Sequence, residues 1–280
     1  MHFDTLTIIG VGLIGGSIGL ATRRRNLVRQ VCGVGRSQAA IETALSIGAI
    51  DSGLLSPVNA VEDADLVVVC TPVDQIASEI LRIAPSCRPG TIITDTGSTK
   101  AMIVESIVNK MPRGVHFIGG HPLAGSEKSG VEYADSDLFR ERVCVLTPTE
   151  STHADALQKL SEFWQALGSR VRLMSPEEHD QAVAMTSHLP HVIASALAGV
   201  LPDDLRELTA SGFRDTTRIA AGDPALWQAI LSQNRSALLK ALDILRGRLE
   251  LFNVALENDH SSQLTDLLGD GKRRRDALGN

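Results

Sequence analysis

His121 sits in the run Gly119-Gly120-His121-Pro122-Leu123-Ala124-Gly125-Ser126-Glu127-Lys128-Ser129-Gly130, directly after an apolar stretch. Glycine on one side and proline on the other give its backbone a defined course, and nothing nearby marks it as a core position. Imidazole is the side chain best suited to accept a proton near neutral pH, so His121 is either a general base or a structural histidine. A second loop, Asp95-Thr96-Gly97-Ser98-Thr99-Lys100, follows another apolar run. Later in the chain, Ser187-His188-Leu189-Pro190-His191 and Gly212-Phe213-Arg214-Asp215-Thr216-Thr217-Arg218 bring imidazoles and a guanidinium into helical surroundings. A guanidinium can grip a carboxylate through two parallel N–H bonds. On residue type alone, Arg218 reads as a surface helix charge and His191 as a satisfied core histidine beside Pro190 sooner than either reads as a ligand.

The first loop of the chain gives these groups a context. Gly10-Val11-Gly12-Leu13-Ile14-Gly15 matches G-x-G-x-x-G, follows the apolar run Leu6–Ile9 and opens an amphipathic stretch. In that setting the glycines allow a sharp turn and close approach to a pyrophosphate, and the helix start offers unpaired N–H groups. The pattern predicts a dinucleotide site. Its second strand ends in Gly33-Val34-Gly35-Arg36-Ser37, with no acid between Gln30 and Ala40. An acid there would bind the ribose 2′-OH of NAD, whereas Arg36 and Ser37 suit a 2′-phosphate. NADP is therefore the expected cofactor, with NAD as the alternative. Cys70-Thr71-Pro72 ends a further strand, which makes Thr71 either a cofactor contact or an ordinary Thr-Pro strand end.

The elements that must hold these loops are legible as alternation. Strands are expected at Thr5–Gly10, Val28–Gly35, Asp65–Thr71, Thr91–Asp95, His116–Gly119 and Val143–Thr147, with Arg170–Met174 a possible last one. Helical patterns such as Gln38–Ile47 and Lys100–Lys110 lie between them, which points to parallel βαβ units. At Ser175 the character changes. Ser-Pro-Glu-Glu is a strong helix start, and segments 176–200, 203–220 and 224–258 all read as helical. Pro190 should kink or interrupt the first of these. Leu226, Ile230, Leu238, Leu242, Leu245, Leu249 and Leu251 predict one long amphipathic helix, and the polar tail from Gly269 is expected to fray. The fold class is α/β, a Rossmann-type dinucleotide-binding domain over 1–174, followed by an all-α domain over 175–280.

Composition narrows the function classes. The chain has 280 residues, 43% hydrophobic, and a net charge of -6. That charge gives no footprint for nucleic acid, and the runs Arg23–Arg25 and Arg273–Arg275 are too short to provide one. Cys32, Cys70, Cys87 and Cys144 form no CxxC pair, so no metal site is expected and the thiols read as free in a reducing cytoplasm. Leu6 to Ala21 is too short for a membrane span and lacks a preceding positive charge, so neither a signal peptide nor a membrane segment is expected.

Four blocks, DxGSxK, GGHPLAGSEKSGVEYA, SHLPH and GFRDTTRIA, occur in order behind the glycine loop. Together they resemble the prephenate and arogenate dehydrogenases of tyrosine biosynthesis over essentially the whole chain. The resemblance implies oxidative decarboxylation of prephenate, with arogenate or both as alternatives; the second histidine of SHLPH favours prephenate. It implies that His121 accepts the proton of the C4 hydroxyl and that Ser98 contacts that hydroxyl and the nicotinamide. It places His191, Arg218 and Ser126 against the substrate, with Arg218 on the ring carboxylate and His188 at the site or in support of it. It also implies a homodimer through the C-terminal helices, which agrees with the apolar surface of the 224–258 segment. Beside longer members of that family, neither a regulatory domain nor a fused chorismate mutase is expected here. A β-hydroxyacid dehydrogenase would lack the HPLAGSEKSG block and want a catalytic lysine in the helical half, where only Lys240 and the tail Lys272 occur. A non-catalytic NADP-binding protein would need the glycines but not His121 with Arg218.

Overall fold

The computed structural model describes residues 3–125 and 128–279. Eight strands form one sheet: β1 Phe3–Ile9, β2 Val28–Val34, β3 Ser52–Leu54, β4 Leu66–Val69, β5 Ile92–Asp95, β6 His116–Pro122, β7 Val143–Thr147 and β8 Arg170–Leu173. Their order across the sheet is β3-β2-β1-β4-β5-β6-β7-β8. The first six run parallel, β7 is antiparallel to β6, and β8 is parallel to β7. The three-residue edge strand β3 escapes the sequence reading because Ser-Gly-Leu has no run of β-branched residues to announce it.

Helices α1 Leu13–Arg24, α2 Gln38–Ser46, α3 Pro57–Ala60, α4 Val73–Ile83, α5 Ala101–Ile107 and α6 Ala154–Ala166 connect the strands. Alternation along β4 shows how the faces are built. Leu66 and Val68 join Ile18, Ile41 and Trp164 on one side, while Val67 and Val69 join Ile76, Ile80, Ile103 and Ile107 on the other. In α4 the buried Val73, Ile76, Ile80 and Ile83 make one stripe at helical spacing. A sheet covered on both faces needs such continuous apolar strands.

Beyond β8 the chain is helical: α7 Pro176–Val183, α8 Leu189–Gly199, α9 Ser211–Thr217, α10 Pro224–Gln233, α11 Arg235–Glu257 and α12 Ser261–Asp276. A capping box starts α7. The Ser175 hydroxyl accepts from the Glu178 N–H at 3.1 Å, and the Glu178 carboxylate accepts from the Ser175 N–H at 2.8 Å. Between α7 and α8 the backbone widens into a π-turn over Ala184–His188, immediately before Pro190. Proline has no N–H to bond back one turn, and the wide turn absorbs the missing bond.

Two expectations are corrected. The 224–258 segment is two helices, broken at Asn234, whose backbone (φ -102°, ψ 27°) leaves the helical region while its side chain bonds inward. The polar tail is helical as far as Asp276. Residues 269–276 lie within α12, where Asp270 draws in Arg248 at 2.9 Å and Arg274 at 3.1 Å, while Arg248 also donates to the Leu267 carbonyl.

The helical half has little core of its own. Ala184, Leu189, Leu238 and Ala241 form its buried cluster, and Ile230 of α10 packs into the sheet's core instead. Val200, Leu208, Ile244, Leu256 and Leu268 all lie on its surface. Among the described residues, no helix is long and apolar enough to cross a membrane.

Candidate active site

The loops after β1 and β4 meet where the strand order reverses, the usual ligand crevice of an open α/β sheet. Gly10 has φ +99°, and a Cβ there would lie 2.8 Å from the Cys70 carbonyl oxygen, so the turn after β1 requires glycine. Gly12 is different: a Cβ on it would meet nothing within 4 Å. It caps α1 without any side-chain bond, leaving the first-turn N–H groups of Leu13, Ile14 and Gly15 without a capping side chain. Val11 is buried beneath the loop, and the Thr71 hydroxyl is a buried oxygen without a partner among the described residues. A small-residue cradle, free amides and an orphaned hydroxyl fit a dinucleotide phosphate. Arg36 is exposed just past the end of β2, without a partner among the described residues. Ser37 caps α2 by accepting from the Ala40 N–H at 3.2 Å.

His121 sits near the carboxyl end of β6, opposite Val145 of β7. The Gly-Gly before it permits a close approach: a Cβ on Gly120 would fall 2.7 Å from the Asp95 carbonyl oxygen. Asp95, at the end of β5, accepts from the Gly120 N–H at 3.1 Å and the Gly97 N–H at 2.8 Å, and pairs with the fully buried Lys100. One carboxylate thus ties the loop bearing Ser98 to the strand bearing His121. Ser98 is half-buried and makes no hydrogen bond among the described residues.

The helical half reaches into the same place. The Nδ1 of His121 lies 2.8 Å from Nε2 of His179, whose Nδ1 lies 2.8 Å from Asp180. Asp180 also accepts from the Lys100 and Ala101 amides at 2.8 and 3.0 Å. The Asn234 amide donates to the Asp180 carbonyl at 2.7 Å and to His188 Nδ1 at 3.0 Å. The carbonyl can only accept, which fixes the orientation of that amide. His188 is buried with its ring edge-on to Trp227, and His191 stacks on Trp227 with centroids 3.6 Å apart. The Nδ1 of His191 is buried and has no hydrogen-bond partner among the described residues. Arg218 opens the short 3-10 helix Arg218–Ala221, exposed and without a partner among the described residues. Ser126 lies outside the described residues.

Burial drives His121 well below the ordinary imidazole pKa, aided by neighbouring His179, Lys100 and His188. Burial likewise takes His188 down to about 4 and lowers His191. A neutral imidazole with a free acceptor nitrogen beside a nucleotide crevice can take a proton; an imidazolium cannot.

His179, Asp180, Asn234 and Trp227 are not singled out by the sequence reading. A signal for the first two exists: Pro176, His179, Asp180 and Val183 share one helical stripe, and it is the buried face of α7. Among the described residues, no cluster of three metal-ligating side chains occurs.

Two family models cover the chain. Residues 18–173 match the nucleotide-binding domain of prephenate dehydrogenase, and residues 175–270 match its dimerization domain. The chain is 34% identical to cyclohexadienyl dehydrogenase of Zymomonas mobilis, over 99% of this chain and 96% of that one. It is also 34% identical to prephenate dehydrogenase of Bacillus subtilis, over 98% of this chain and 76% of that one. A crystal structure of prephenate dehydrogenase from A. aeolicus, in complex with hydroxyphenyl propionate and NAD+, superposes with a TM-score of 0.92 at 31% identity, covering 98% of both chains. A two-model match over nearly all of the chain and full-length relatives above 30% identity make it a member of the prephenate dehydrogenase family, the NAD(P)-dependent oxidoreductases.

Proposed function

We propose that the chain oxidatively decarboxylates prephenate to 4-hydroxyphenylpyruvate, with His121 as proton acceptor. The observation that carries this is a partly buried imidazole at the carboxyl end of β6, its pKa lowered by desolvation, in the same sheet as the glycine loop. His121 takes the proton of the C4 hydroxyl as the C4–H electron pair leaves. The bond from C1 to its carboxylate breaks, CO₂ departs, and the electron pair completes the aromatic ring. The proton then returns to the new phenol oxygen, so the reaction releases none overall. The dinucleotide supplies the carbon that accepts the hydride. Aromatisation makes the step strongly downhill, which leaves the protein alignment, proton handling and exclusion of water.

Ser98 has an unpaired hydroxyl to offer the C4 oxygen and the nicotinamide. Arg218 has an unpaired fork for the ring carboxylate, His191 adds a second donor, and Ser126 completes the substrate contacts. His188, committed to Asn234 and buried behind Trp227, supports the site. Gly10, Val11, Gly12, Leu13, Ile14, Gly15 and Thr71 hold the dinucleotide. Arg36 and Ser37 favour NADP over NAD, because an unpaired guanidinium stands where an acid would serve a ribose hydroxyl. Arogenate is the second reading of the substrate, favoured by the cyclohexadienyl dehydrogenase among the relatives.

The same reading divides the chain at 174/175 and makes it a cytoplasmic homodimer through the C-terminal helices. Exposed leucines along α11 and α12 and four unpaired cysteines support it. The experiment is direct: purified protein with prephenate or arogenate, NADP or NAD, and absorbance at 340 nm. A rise with prephenate supports the proposal. No rise with either substrate and either cofactor overturns it.

A further inference from the structure

We propose that His179 and Asp180 are positioning residues that fix the tautomer of His121, so that Nε2 is the nitrogen that accepts the substrate proton. The proposal rests on the reading of His121 as the proton acceptor.

The argument is one of donors and acceptors. Asp180 is surrounded by groups that only donate: the Lys100 N–H at 2.8 Å and the Ala101 N–H at 3.0 Å. Its third partner, His179 Nδ1 at 2.8 Å, must donate as well, because a carboxylate only accepts. With its proton on Nδ1, neutral His179 has a lone pair on Nε2. That lone pair lies 2.8 Å from His121 Nδ1, which must then carry the hydrogen. The remaining nitrogen of His121, Nε2, is left bare and free to accept. With both imidazoles neutral, reversing any member of the chain puts two donors or two acceptors face to face.

The two positioning residues are buried and held by hydrogen bonds. His179 and Asp180 are 1% and 4% exposed. Asp180 is anchored by two amides at the start of α5, and its own carbonyl is held by Asn234 at 2.7 Å. The rings of His121 and His179 meet edge-on at 69°, so the hydrogen bond also fixes the rotation of His121. Such a bond matters most once His121 has taken its proton. The Nδ1–H of the imidazolium then points at a lone pair backed by a carboxylate, on two buried side chains. The logic parallels a catalytic serine–histidine–carboxylate set, with a second imidazole inserted between base and carboxylate. It also gives the helical half a role beyond substrate contact, since the group that orients the base comes from α7 while the base comes from β6.

Two variants and one spectrum test this. His179→Gln keeps an acceptor where Nε2 stood; His179→Leu removes it. Full-length wild type, both variants and His121→Asn are compared in steady-state kinetics, with thermal unfolding measured alongside. His179→Leu should lower kcat by at least about tenfold, and by up to about 10⁴-fold, the loss a triad base shows in the wrong tautomer, with little change in KM. His179→Gln should recover most of that loss. The imidazole ¹⁵N spectrum of the wild type should show His121 with a protonated Nδ1 and a bare Nε2, and His179→Leu should give a mixture. A His179→Leu enzyme with normal kcat, beside a crippled His121→Asn, overturns this proposal alone. So does a wild-type His121 protonated on Nε2. A His121→Asn enzyme of normal turnover overturns the reading of His121 and this proposal with it.

Discussion

Acid should destabilise this protein, and one histidine has a share that can be isolated. His188 is 1% exposed, and its Nδ1 accepts from Asn234, whose orientation is fixed by its other bond to the Asp180 carbonyl. Protonating that nitrogen would set a donor against a donor. Burial, with His179 and His191 nearby, accordingly lowers the pKa from 6.5 to about 4, against a smaller upward pull from Asp180. The unfolded chain therefore binds the proton more readily than the folded one. Stability from this group is complete above about pH 6.5 and is lost as pH falls towards 4. At pH 4.5 the loss comes to about 2.5 kcal/mol relative to pH 7.5, a sizeable part of an ordinary domain's margin. His188→Leu has no proton to bind. It should cost about 1–3 kcal/mol at pH 7.5, because the Asn234 N–H loses its acceptor. It should then escape the His188 share of the acid loss, so that its deficit shrinks or vanishes by pH 4.5. Urea titrations of both proteins at the two pH values, at one protein concentration, measure this. Parallel losses in wild type and variant would refute the reasoning.

Other expectations concern the cofactor, the substrate and the assembly. Wild type should show a lower KM for NADP than for NAD, and Arg36→Asp should reverse or abolish the preference. Losing the ion pair and adding a like charge costs about 3 kcal/mol, roughly a hundredfold in kcat/KM for NADP, and equal use of both cofactors by both proteins would contradict it. Arg218→Ala should raise the KM for prephenate about 10- to 100-fold with a smaller effect on kcat, and an unchanged KM would remove Arg218 from the carboxylate site. Light scattering at micromolar concentration should return a dimer mass, given apolar side chains as exposed as Leu256 (64%) and Ile244 (63%) on α11; a monomer mass would count against it.

How far the sequence carries depends on how local each signal is. The strands β1, β2, β4, β5 and β7 lie within one or two residues of their expected bounds, because both faces of the sheet are covered and the apolar runs are continuous. The glycine loop is legible because its required flanks are neighbours in sequence. Elements decided by distant partners are not legible. Leucine spacing runs straight through Asn234, and only the bonds to Asp180 and His188, 54 and 46 residues away, show why the helix breaks there. The polar composition of the tail hides α12, which is held by Arg248 of α11. At the site, His121 stands out by its local Gly and Pro neighbours. Its partner His179 is 58 residues on, and sequence offers only the helical stripe that buries it beside Asp180.

The most direct test of the account is the turnover of His121→Asn with saturating prephenate and dinucleotide. Asparagine keeps a polar contact to the C4 hydroxyl but cannot accept its proton. Turnover should fall by about 10²–10⁴-fold while substrate affinity changes little. Wild-type kcat/KM should hold from pH 8 down past 6.5 and decline only below it, since burial, with His179, Lys100 and His188, keeps His121 neutral well below the ordinary imidazole range. A His121→Asn enzyme with near-normal turnover and the wild-type pH profile would make His121 structural and contradict the mechanism.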